Sequence, residues 1–299
     1  MKKTFKNKKN EKWLGIGFIT PALIIIGVFV FISIMYALYL SFHRVNLFNN
    51  QLTFVGLDNY RMLFQDTRFK IALGNTIRFA MIVVPSQTII ALVLASVLNA
   101  KIRGKFSFRI IYFLPTLTSS AALTMIFMFL FSLTGPVNQV MKMVGLLSQN
   151  VNFLNDPRVA LSVIMVMNIW STVPYFMTIY FAGLQEVPNT LYESAEIDGA
   201  NAFQKFWYVT IPMLKPVTTF VLLMGIVGTF QMFDQAFIFS SGTGGPENST
   251  LTVALLVYRY AFGQNNTMGY AAAIAIILTV IIFTVSTIAK KLNKSESVY

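Results

Sequence analysis

Apolar residues run along this chain in six stretches: about Leu14 to Leu40, Leu73 to Leu98, Ile110 to Leu133, Val159 to Leu184, Val217 to Phe239 and Gly269 to Ala289. Each holds the roughly 20 residues that a helix needs to cross a bilayer core of about 30 Å. The runs are continuously apolar. Barrel strands would instead show segments of roughly ten residues that alternate apolar and polar. The pattern predicts an all-α, polytopic membrane protein with six transmembrane helices, in which Arg78 and Asp234 are the charges within the spans. Breaker clusters at Gly135-Pro136, Asn155-Asp156-Pro157 and Gly242 to Pro246 set where spans end.

Composition sharpens this reading. The chain is 56% hydrophobic and 11% charged, against roughly a quarter charged in soluble domains. Its net charge of +12 would suit nucleic acid, but Lys and Arg in a membrane protein sort first by side. Lys2, Lys3, Lys6, Lys8, Lys9 and Lys12 precede the first span, and Lys101, Arg103, Lys105 and Arg109 join the second to the third. Lys205 and Lys215 join the fourth to the fifth, and Lys290, Lys291 and Lys294 follow the sixth. These share one face, so both termini are predicted to be cytoplasmic and no nucleic-acid partner is expected. Residues 1–13 read as a basic leader, 14–289 as one membrane domain and 290–299 as a tail. With no Cys and only His43 as histidine, thiol or histidine catalysis and zinc binding lack material, and His43 reads as an interfacial residue.

The loop between the fourth and fifth spans is long and has helical signals of its own. After Pro188, Thr190-Leu191-Tyr192-Glu193 has the form of a capping box, with Thr190 as cap. Glu193 and Glu196 would then lie in the first turns, where the helix dipole favours acids, and Gly199 is the expected stop. Ser194, Ala195, Gly199, Ala200 and Ala202 leave a surface that another backbone can approach. Phe203, Phe206 and Trp207 share a face of a second short helix. By these residues alone the loop is either a docking element or an amphipathic elbow on the membrane surface.

Glu193-Ser194-Ala195, Gly199 three residues on, then Val209, Ile211 and Pro212 resemble the EAA loop, E-A-A-x3-G-x9-I-x-L-P, of permease subunits of binding-protein-dependent ABC importers. The fuller run Leu191 to Pro216 is similar to the carbohydrate-uptake branch that includes the maltose-type permeases. Ser194, Val209 and Ile211 are mild departures. The resemblance implies a type I importer fold. It also implies that the loop 188–212 couples to a separate ATPase through Glu193, Ser194, Ala195, Asp198, Gly199, Ala200, Phe203 and Pro212. No G-x-x-x-x-G-K-[ST] phosphate cradle occurs in the chain, so ATP is expected to be handled by a separate polypeptide, and without Cys or paired carboxylates placed for catalysis the chain reads as a transport subunit and not an enzyme. ATP and Mg would be used by the partner, and no cofactor is bound here. The implied assembly is a second permease, an ATPase dimer and an extracytoplasmic substrate-binding protein, in the plasma membrane of a bacterium.

An ionisable residue inside a span usually faces a cavity or a partner. Asp234 would share a helical face with Gln231 and Phe230, which suits the hydroxyls and C–H faces of a sugar. The alternative is that Asp234 pairs with Arg78 or caps a neighbouring helix. Asn168, Trp170, Ser171, Thr172 and Tyr175 form a second polar patch on the fourth span, and equally suit helix packing. The resemblance implies that all eight residues fall where the maltose-type permease contacts sugar. Glycerol-3-phosphate or another polyol is the rival substrate. A secondary transporter would need coupling carboxylates in several spans.

Overall fold

The computed structural model describes residues 7–46, 51–99, 112–263 and 267–293. Lys2, Lys3, Lys6, Lys101, Arg103, Lys105, Arg109 and Lys294, on which the sidedness argument leans, lie outside the described residues. The chain separates into two compact units, 1–65 with 260–276 and 66–259 with 277–299.

In the first unit, α1 (Asn7–Ile26) continues through a π-helical stretch, Gly27–Ile32, into α2 (Ser33–Ser41). Together they make the apolar span Trp13–Ser41, whose outer surface carries Phe18, Phe29 and Phe31. A short antiparallel hairpin that the sequence did not announce follows: β1 (His43–Asn46) pairs with β2 (Gln51–Phe54), His43 opposite Phe54. Next comes α3 (Asp58–Gln65). Asn59 holds this turn region together, because its buried amide donates to the Ser41 and His43 carbonyls at 2.8 and 3.1 Å. His43 is buried and hydrogen-bonds the Tyr39 carbonyl at 2.8 Å through Nδ1, which makes it part of the packing. A Cβ at Gly269 would collide with the His43 carbonyl.

The second unit is built on α4 (Thr67–Asn99), α5 (helical over residues 112–117), α6 (Ser120–Leu130), α7 (Pro136–Met143) and α8 (Ala160–Gln185). Then come α9 (Asn189–Ile197), α10 (Ala202–Lys205), a π-helical turn at Phe206–Thr210 and α11 (Ile211–Met213). Closing the order are α12 (Lys215–Phe230), α13 (Asp234–Phe239), α14 (Val253–Phe262) and α15 (Met268–Leu292); residues 260–262 of α14 and 268–276 of α15 belong to the first unit. Along α4, Val83, Gln87, Ala91, Ala95 and Leu98 recur every three or four residues and are all buried, as one stripe of a helix requires. Ala91 and Ala95 let α8 approach closely, as small residues four apart do in membranes. There Val173, Phe176, Met177, Tyr180 and Leu184 complete the core, with Leu214 and Val221 beside them. Gly183 sits so near α12 that a Cβ there would lie 2.7 Å from Val217 Cγ2.

Among the described residues, five helices are long and apolar enough to cross a membrane. The third apolar run differs from expectation. Its described part is divided at Thr118 and Ser119, and Ser119 accepts from the Ala122 N–H as the N-cap of α6. A serine or threonine cap satisfies an orphan helix donor and so favours a fresh start there. The fifth run also breaks, at Gln231 to Phe233, and this break shapes the candidate site.

Candidate functional site

The break follows from the end of α12 at Phe230. Gln231, at φ −92° and ψ 7°, leaves the helix, and Phe233, at φ −126° and ψ −60°, precedes the restart at Asp234. The helical-face argument for Phe230, Gln231 and Asp234 therefore fails. Phe230 is buried as the last residue of α12, and Asp234 opens a new helix. An acid suits that position, since a first turn carries the positive end of the helix dipole.

The break nevertheless brings Gln231 and Asp234 to one cavity of about 200 Å³, lined also by Ser120, Asn168, Gly228, Met232, Phe233 and Gln235. Asn168, on α8, donates its amide to Gln235 Oε1 at 3.0 Å. The Thr172 hydroxyl has two acceptors for its one proton, Gln87 Oε1 at 2.8 Å and the Asn168 carbonyl at 2.7 Å. Its single proton is thus committed inside the bundle, and Ser171 likewise turns back to the Asn168 carbonyl. The other sequence-named residues of α8 face elsewhere. Trp170 lines a separate apolar recess of about 570 Å³ with Tyr112, Ile90 and Pro174, and Tyr175 is half-exposed, edge-on to Phe176. Of the eight named residues, Asn168, Gln231 and Asp234 line the polar cavity.

Ion pairing of Asp234 with Arg78 is not made. The ion pairs among the described residues include Arg61 with Asp58, at 3.6 Å, and Lys205 with Glu196, at 2.8 Å. Sequence reasoning missed Gln235, Ser120 and Gln87. Gln87 had a signal, a lone amide inside a long apolar run; it is 1% exposed and bridges α8 and α12. A Cβ at Gly225 would strike its Nε2.

The loop between α8 and α12 has a different character. α9 begins at Asn189, with Pro188 as N-cap and no side-chain cap, so Thr190 is inside the helix and the proposed capping box is absent. Proline fixes the φ of the entering residue and needs no side-chain acceptor to start the turn. Glu193 is mid-helix and Glu196 lies in the last turn, so neither sits at the favourable end. A capping box does form one helix later, where Asn201 and Gln204 satisfy each other's backbone N–H groups at 2.8 and 2.9 Å.

Gly199 ends α9 as expected. At φ +77°, it donates to the Glu196 carbonyl, while Ala200 donates to the Ala195 carbonyl; these are the two bonds of a Schellman stop. Lys205, beside Glu196, holds that carboxyl below its ordinary value, chiefly through their hydrogen bond and then through its charge. No residue of α9 is buried. Ile197 is 87% exposed, Phe203 71% and Tyr208 79%, so Ile197, Asp198 and Gly199 project from the molecule. The loop is tied back at Tyr192, whose hydroxyl meets Thr210 Oγ1 at 3.0 Å. Phe203 and Trp207 do lie ring to ring, with centroids 5.9 Å apart.

Known proteins match this architecture. The chain is 36% identical over 275 residues to the lactose transport system permease protein LacF of Rhizobium radiobacter, covering 92% of this chain and 91% of that one. It is 32% identical over 284 residues to the trehalose/maltose transport system permease protein MalF of Thermococcus litoralis, covering 94% and 95%. A bacterial alginate ABC transporter, solved in complex with an alginate pentasaccharide-bound periplasmic protein, shares the fold with a TM-score of 0.81 at 20% identity, over 98% of each chain. Residues 65–297 match the family described as the binding-protein-dependent transport system inner membrane component, and the chain belongs to it as a multi-pass ABC importer permease subunit.

Proposed function

We propose that the chain forms one wall of the path for a neutral sugar or oligosaccharide in an ATP-driven importer. The observation that carries the substrate class is likeness over nearly full length to permeases named for lactose and for trehalose/maltose. The cavity chemistry agrees with it. Asp234 supplies acceptors, Gln231, Gln235 and Asn168 supply both donors and acceptors, and Phe233 offers an apolar ring to sugar C–H groups. A carboxylate with no ion-pair partner among the described residues disfavours an anionic cargo such as glycerol-3-phosphate.

At about 200 Å³ the cavity is smaller than the roughly 300 Å³ at which small-molecule pockets begin. A second permease, here taken as a different chain, closes it. The loop 188–212 docks on the ATPase dimer through Glu193, Ser194, Ala195, Asp198, Gly199, Ala200, Phe203 and Pro212. ATP and Mg are bound by that dimer, and both termini of this chain face the cytoplasm with it. An extracytoplasmic binding protein delivers the sugar to the opposite face.

The test is uptake of radiolabelled lactose and maltose by the assembled transporter in proteoliposomes. Asp234→Ala combined with Gln231→Ala is expected to lower uptake of the transported sugar at least about tenfold, the effect of leaving two or more hydrogen bonds unmade. Unchanged uptake and unchanged sugar-stimulated ATP hydrolysis would remove the cavity from the path.

A further inference from the structure

The helix break that makes the cavity takes the Met232 carbonyl out of both hydrogen-bond ladders. Gln231 still donates to Val227 at the end of α12, and Phe233 already accepts from Phe237 at the start of α13. Met232, between them, is 5% exposed. Its carbonyl accepts from the hydroxyl of Thr252 at 2.9 Å. A buried carbonyl away from water needs such a partner, and in a membrane the need is stronger.

Thr252 is 1% exposed and is held from both sides. Its Oγ1 accepts from the Leu255 N–H at 3.2 Å, as an N-cap of α14 does. The Val253 N–H, one residue on, donates to Thr76 Oγ1 on α4 at 3.1 Å. Just before it, the turn 240–251 is fastened to the same helix: Asn75 donates to the carbonyls of Asn248 and Leu251 at 2.8 and 3.0 Å. Thr252 therefore joins a turn clamped on α4 to the peptide that separates Gln231 from Asp234.

We propose that Thr252 is a positioning residue for the cavity: by holding the Met232 carbonyl it fixes how the break presents Gln231 and Asp234, and it ties that presentation to the clamped turn 240–251. Gln231 and Asp234 take their importance from the reading of the cavity above, so the test must separate the two. A threonine is suited to the task because one hydroxyl both accepts from Leu255 and donates to Met232. Valine has the same shape and can do neither.

The chain has no cysteine, so an introduced thiol is the only one on this chain, and labelling is read on this chain after it is separated from its partners. Gln231→Cys would be made in the assembled transporter with Thr252 kept, changed to Val and changed to Ser, and its rate of modification by a methanethiosulfonate ammonium reagent measured. Asp156→Cys, on the distant loop before α8, serves as the control. Thr252→Val is expected to change the rate at Gln231→Cys about fivefold or more, the scale of one buried hydrogen bond, with no change at the control. Thr252→Ser is expected to restore it.

Equal rates in the Thr and Val backgrounds, or failure of Ser to restore, would overturn the proposal, as would an equal change at the control. If Thr252→Val does not assemble, Thr76→Val removes the acceptor for Val253 and should shift the Gln231→Cys rate the same way; no shift there also overturns it. Labelling reads geometry alone. Loss of the transport role of Gln231 and Asp234 would show instead in the uptake experiment, with the labelling result standing.

Discussion

The cavity at the α12–α13 break and the loop from Pro188 to Met213 belong to the same unit and are finished to different degrees. Around the cavity, the groups that frame it are paired within the chain, Asn168 with Gln235, Thr172 with Gln87 and Thr252 with Met232, while Gln231 and Asp234 stand exposed. The neighbouring apolar side chains, Phe230 and Met232, are buried. In the loop the backbone is well capped, with a Schellman stop and a capping box, yet Ile197, Phe203 and Tyr208 stand exposed. Local hydrogen bonds tie both regions; the apolar side chains are buried beside the cavity and exposed on the loop. A helix whose backbone is satisfied and whose apolar side chains are not is shaped before its partner arrives, and that lowers the ordering cost of docking.

The largest effect expected from this contrast is on the cavity side. Gly225→Val places a branched side chain against Gln87, and overpacking of that kind costs about 1–3 kcal/mol. A fall in the melting temperature of the purified chain is the measurement. An unchanged melt would mean that α4 and α12 are not tightly joined at Gln87. Next in size is Ile197→Ser, on the loop side. Ile197 is exposed in the free chain, so the melt should move by no more than about 0.5 kcal/mol. Affinity for the ATPase should fall about tenfold, because burying an isoleucine is worth roughly 1.5–3 kcal/mol. If the melt drops and the affinity does not, the comparison is reversed.

How much of this was readable beforehand depends on what carried the signal. Span length and hydropathy announced the bundle, because lipid forces long apolar runs. Gly199 was readable as a stop because a left-handed residue at a helix end has a strong preference for glycine. The start of the same helix was misread: Thr190 and Glu193 have capping-box spacing, but Pro188 already caps the first turn two residues earlier. The break after Phe230 left no mark, since Gln231-Met232-Phe233 contains neither glycine nor proline and is stabilised from afar by Thr252. Gln87 looked like one amide in a long apolar helix, and its role appears only when Thr172 and Gly225 are placed against it. The hairpin His43–Phe54 was passed over because two four-residue strands sit inside what hydropathy treats as a connector.

Two smaller effects sharpen the loop side. Gly199→Ala puts a Cβ on a residue at φ +77°, where open space removes any clash and the cost is the left-handed conformation alone, about 1 kcal/mol. Because α9 is exposed, that cost should appear as fraying of its last turn. Sugar-stimulated ATP hydrolysis should fall roughly fivefold, while the affinity for sugar stays as it was. A change in sugar affinity instead would place Gly199 in communication with the cavity.

The smallest effect concerns Glu196 and Lys205. Lys205 lowers the folded-state pKa of Glu196, so the pairing contributes fully above the ordinary carboxylate value and fades as pH falls through the lowered one. Glu196→Gln should therefore differ from the parent at neutral pH and match it once the medium is acidic enough to protonate Glu196. The pair is exposed and screened, so the neutral-pH difference in ATPase affinity should be about twofold or less. A neutral-pH difference well above twofold would mean that the Glu196 carboxylate meets a second cation in the assembled transporter, and that the loop is held by its partner through charge as well as through Ile197.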